Sequence, residues 1–110
     1  MQELFDILQA NGFYQCFVKA KAVSEYMKVV PVNCGCAVSF SVEVLLSKEG
    51  AFAGCRLWST PFDARIGKQG KLAVMARWKT LKGAQQGVIP AYEKLKKEFT
   101  DRLAVHYKSI

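Results

Sequence analysis

Four cysteines and one histidine carry the thiol, metal and acid–base chemistry open to this chain. Cys34-Gly35-Cys36 places two thiols one residue apart, with Cys16 and Cys55 elsewhere. Structural zinc knuckles separate paired ligands by two to four residues, so this spacing departs from the pattern. Strand alternation would instead point both thiols to one face, and buried free thiols beside Val38 are the simpler reading. No metal and no cofactor is expected.

His106 is the only histidine and lies near the chain end, with no Cys or Ser placed beside it as a partner. General acid–base or nucleophilic catalysis needs such a partner. The acids Asp6, Glu25, Glu43, Asp63 and Asp101 are scattered singly, and no carboxylate pair can be argued from sequence. An enzyme is not expected. Gly67-Lys68-Gln69-Gly70-Lys71 resembles a phosphate loop only in composition. The nucleotide-binding loop ends in Lys-Ser/Thr and opens a helix, whereas here Leu72 follows and a strand begins.

The stronger signal is where the charge sits. The chain has a net charge of +7, and between Arg56 and Lys82 seven cations face one acid, Asp63, while the flanking segments are nearly balanced. Within that segment Trp58 lies two residues from Arg56. Cations beside aromatic rings on an uncovered sheet suit single-stranded nucleic acid, because bases stack on rings while cations neutralise phosphates. The candidate binding residues are Arg56, Trp58, Arg65, Lys68, Lys71, Arg77 and Lys79, acting on single-stranded DNA or RNA. Charge excess speaks to partners without naming them. The same patch would serve an adaptor or inhibitor that recognises an acidic protein, or simply solubility. A third reading places a small apolar ligand under the last helix.

The elements that must position these residues follow from periodicity. Gln2 to Asn11 reads as a short helix, with Asn11-Gly12 as its left-handed stop. From Phe13 the period turns to two, and residues 20 to 30 fit both strand and helix, with a turn placed near Ser24-Glu25 and a second strand ending at Pro31. Val38, Phe40, Val42, Val44 and Leu46 alternate with Ser39, Ser41 and Glu43 to give the clearest strand. Lys48-Glu49-Gly50 is a hairpin loop, and the strand returning from Ala51 is expected to end at Thr60-Pro61. On that strand Phe52, Gly54, Arg56 and Trp58 share a face. Phe62 to Gly70 suits a hairpin tip, Lys71 to Thr80 a strand with a basic face. Lys82 to Gly87 reads as a loop, and Pro90 as the first turn of a helix reaching Tyr107.

The sum is an α+β fold of two layers: a mostly antiparallel sheet of four or five strands, a short N-terminal helix and a long C-terminal helix packed on one face. At 110 residues, with 51% apolar and 23% charged positions, the chain is one domain, residues 1–110, with material for one core. The start is acidic and amphipathic where a secretory leader would be basic then apolar, so a cytoplasmic setting with reduced thiols is expected. Every apolar run is interrupted well before the ~20 residues of a membrane span, so no membrane partner is expected. A homodimer through an exposed edge strand is the remaining partner expectation.

Overall fold

The computed structural model describes residues 1–16, 22–33, 36–63, 68–69 and 73–108. The elements are α1 (Gln2–Ala10), β1 (Tyr14–Cys16), β2 (Val23–Asn33), β3 (Cys36–Leu46), β4 (Phe52–Asp63), β5 (Lys68–Gln69), β6 (Ala73–Trp78) and α2 (Leu81–Lys108). Strands run in the order β1-β2-β3-β4, and both β5 and β6 pair with β4 along its outer side. Every pairing is antiparallel. Five strands carry the sheet, and β5 adds two residues.

Both helices lie on one face. Leu4 and Leu8 from α1 and Ala84, Val88 and Tyr92 from α2 are fully buried against Tyr26, Phe40, Val42, Val44, Cys55 and Leu57 of the sheet. The result is the expected two-layer α+β arrangement. Among the described residues no helix is long and apolar enough to cross a membrane.

Local chemistry explains where elements stop. At Gly12 the backbone takes φ +86°, a left-handed conformation that L side chains rarely adopt, and the chain leaves α1 there. Lys28 Nζ donates to the Asn11 carbonyl at 2.9 Å, placing a cation at the negative end of the helix. In β3 the inward Val38, Phe40, Val42 and Val44 are at most 1% exposed, while Ser39, Ser41 and Glu43 face away from the helices.

Several boundaries differ from the sequence expectation. Ser24 and Glu25 do not turn; they lie inside β2, opposite Val44 and Glu43. A ten-position register with β3 outweighs the local helical spacing of residues 22 to 30. Two prolines expected to end strands are instead carried inside them. β1 covers β2 only at Glu25 to Met27, short of Pro31. Likewise β6 pairing stops at Ser59 and β5 pairing starts at Phe62, so Pro61 falls between them. Neither proline forfeits a ladder bond on that side, which is where strands tolerate the missing N–H.

Residues 82 to 87 are helix, not loop. Thr80 starts it: the Gly83 N–H donates to Thr80 Oγ1 at 3.1 Å, and the Ala84 N–H donates to the Thr80 carbonyl at 3.0 Å. The second glycine of this stretch serves packing, since a Cβ on Gly87 would overlap Trp78 Nε1 and lie 3.2 Å from Cε2. Pro90 accordingly sits in the helix interior, exposed to solvent, and its missing N–H leaves the Gln86 carbonyl without its helical donor.

Candidate functional site

Among the described residues the second face of the sheet carries no helix, and its residues fall into rows set by the register. One row crosses five strands as Cys16, Glu25, Glu43, Arg56 and Arg77, each the Cα partner of the next. The neighbouring row reads Tyr14, Met27, Ser41, Trp58 and Val74. A third holds Val29, Ser39 and Thr60. Beside Trp58, β6 bulges at Met75, which is exposed together with Tyr14 and Val29.

The first row is acidic on β2 and β3 and basic on β4 and β6. Like charges directly opposite one another are unfavourable by roughly 0.2–1 kcal/mol. Part of that is offset where the two halves meet. Arg56 Nη2 lies 3.5 Å from Glu43 Oε2, with the side chains 32% and 21% exposed. Ser41 Oγ donates to Glu25 Oε1 at 3.0 Å. The Arg56 guanidinium also stands 5.3 Å from the Trp58 ring centroid, within cation–π range. Arg77 has solvent on its side chain.

Two donors on this face lack acceptors. Arg56 Nε and Trp58 Nε1 are both buried with no hydrogen-bond partner among the described residues. Between the rows lies a cavity of about 300 Å³ lined by Glu25, Met27, Ser39, Ser41, Glu43, Trp58 and Thr60. Its lining spans three strands, with Glu25 and Met27 on β2, Ser39, Ser41 and Glu43 on β3, and Trp58 and Thr60 on β4.

Of the residues singled out from sequence, Arg56, Trp58 and Arg77 come together on the open face. Lys79 is exposed one residue past the end of β6. The backbone of Lys68 pairs with Asp63, seven residues along β4 from Arg56 and therefore roughly 23 Å away at ~3.3 Å per residue. Arg65 and Lys71 lie outside the described residues. Phe52 departs from the face assigned to it. A register shift at Leu45/Leu46 sets Gly54 opposite Leu45 and Phe52 opposite Leu46, and Phe52 packs against the core instead.

Glu25 and Glu43, read from sequence as singly scattered acids, stand opposite one another across β2 and β3, and neither they nor Ser41 and Met27 were assigned a binding role from sequence. Glu43 was legible as the wet side of β3. Its pairing with Glu25 required knowing the register of β2 on β3.

Among the described residues Cys16 and Cys55 do not converge. Cys16 is half-buried at the end of the open-face row, while Cys55 is buried on the helix side. Cys36 is seven residues along β3 from Glu43, and Cys34 lies outside the described residues. Burial, with Glu43 nearby, pushes the Cys55 thiol up to about 12. Burial, and secondarily the Glu25 carboxylate, raises Cys16. The His106 side chain lies outside the described residues. Among the described residues no group of three or more metal-ligating side chains forms. The space between α2 and the sheet is filled by rings, with Tyr92 edge-to-face against Phe13 and Phe40 at 5.0 Å each.

Compared with known proteins, the chain matches no family model, and no curated protein or solved structure shows significant similarity to it.

Proposed function

We propose that the uncovered sheet face binds single-stranded nucleic acid, with the phosphate backbone running along the β4–β6 margin. The observation that carries this is the direct opposition of Arg56 and Arg77, with Trp58 two residues on from Arg56. The strand pairing sets two arginines on neighbouring strands, Arg56 drawn towards Glu43 and Arg77 open to solvent, and a phosphate diester supplies an anion for this excess of positive charge. A flat sheet face gives unpaired bases a platform, and Tyr14, 53% exposed, extends it at the β1 side. Glu25 and Glu43 keep phosphates off the central strands, so the backbone follows the basic margin towards Lys79 and, farther along β4, Lys68.

An acidic protein partner would use the same arginines. The Trp58 ring lining the cavity favours a ligand that presents flat heteroaromatic rings, as the bases of a nucleic acid do. A reducing, cytoplasmic setting belongs to this reading, with Cys16 and Cys55 as free thiols.

Trp58 fluorescence is the reporter, read in a Trp78→Phe background to leave one indole. Titration with a 12-nucleotide single strand should quench it, whereas an acidic peptide of equal charge should leave it unchanged. Quenching by the peptide alone would assign the face to a protein.

A further inference from the structure

We infer that the cavity beside the arginine pair receives a base bearing an exocyclic amino group, and so discriminates against thymine and uracil. This rests on the single-strand reading above and deepens it. At about 300 Å³ the cavity is at the lower end of small-molecule pockets, the scale of one base with a few waters. Two of its lining groups are carboxylates, Glu25 and Glu43, set opposite each other on adjacent strands. An ionised carboxylate only accepts hydrogen bonds. An occupant of this cavity must therefore bring N–H donors.

Cytosine, adenine and guanine each carry an amino group with two N–H donors on the base edge; thymine and uracil carry a single donor, N3–H, flanked on both sides by carbonyl oxygens. Those oxygens would meet the carboxylates acceptor to acceptor. The remaining walls fit the rest of a base. Met27 and Trp58 offer apolar and ring surface, and Ser39, Ser41 and Thr60 offer hydroxyls that donate or accept. Arg56 occupies the strand between Glu43 and Arg77, so a phosphate held between β4 and β6 and a base over β3 are one and a half strand spacings apart, roughly 7 Å.

The test compares 12-nucleotide homopolymers of dC, dA and dT with the intact chain at neutral pH by fluorescence anisotropy. Oligo(dC) and oligo(dA) should bind at least about tenfold tighter than oligo(dT), the scale of one well-placed base contact. Glu25→Gln gives the cavity a donor that thymine O4 accepts and should narrow the ratio to within about threefold. Ser39→Phe, which fills the cavity without touching a charge, should narrow it likewise. Equal affinity for all three homopolymers, still lost in Arg77→Glu, would overturn the base pocket and leave the phosphate margin standing. Failure of every oligonucleotide to bind would overturn both.

Discussion

Arg77 stands directly opposite Arg56 across the β4–β6 pair, and among the described residues only Arg56 has a carboxylate beside it, Glu43 at 3.5 Å. Reversing the unpaired member separates binding from folding. Arg77→Glu replaces a like-charge cross-strand pair with an opposite-charge one and should be neutral to stabilising by up to about 1 kcal/mol. Oligonucleotide binding should fall at least about tenfold in the same variant. Thermal melting and anisotropy on one preparation check both, and a destabilised variant that still binds would show that Arg77 serves the fold instead.

Trp78 and Gly87 meet where the last strand hands over to α2. Alanine favours a helix over glycine by about 1 kcal/mol in the absence of packing. Here the added Cβ would overlap the indole, and overpacking costs about 1–3 kcal/mol. Gly87→Ala should therefore lower stability by up to about 2 kcal/mol in urea titration. In a Trp78→Leu background the same substitution should cost less or become favourable. Stabilisation in the parent chain would mean that the indole does not seat against the helix.

Tyr92 is fully buried, and its hydroxyl has no partner among the described residues. Its ring is held by Phe13 and Phe40, with Lys28 Nζ 5.1 Å from the centroid. Tyr92→Phe keeps the ring contacts and removes an unsatisfied polar group. It should leave stability unchanged or raise it by up to about 1 kcal/mol in urea unfolding. A loss above that would mean that the hydroxyl is hydrogen-bonded.

The two thiols on opposite faces should titrate apart. With Cys34→Ser and Cys36→Ser in place, Cys55 should resist iodoacetamide in the folded protein up to about pH 10, because its pKa is pushed up to about 12 and the thiol form is unreactive. Cys16, raised chiefly by burial and secondarily by Glu25, should react more slowly than free cysteine at pH 8. Glu25→Gln removes a neighbouring negative charge, lowers that pKa and should speed the reaction. Mass spectrometry of alkylated peptides reads both sites, and equal rates at Cys16 and Cys55 would contradict the face assignment.

What the sequence made legible was local. The alternation of Val38 to Val44, the stop at Gly12 and the period of Tyr92, Leu95 and Phe99 were each decided by residues within a turn or two of one another. The start of α2 was not, because Gly83 and Gly87 are loop-forming by propensity and become helical once the Thr80 cap and the Trp78 ring are present. Nor was the acidic half of the open face. Glu25 and Glu43 are eighteen residues apart, and their meeting depends on the β2–β3 register. The basic half was visible because Arg56, Trp58 and Arg77 lie in one charged segment, although the strand pairing, not their proximity in sequence, brings the arginines together.

The salt dependence of single-strand binding tests the basic margin most directly. For the parent chain and Arg77→Ala, oligo(dC) affinity is measured between 50 and 200 mM salt and plotted log against log. Losing one phosphate contact should make the slope shallower by about 0.7 and weaken binding at every salt concentration. Parallel lines of equal affinity would contradict a phosphate held between Arg56 and Arg77.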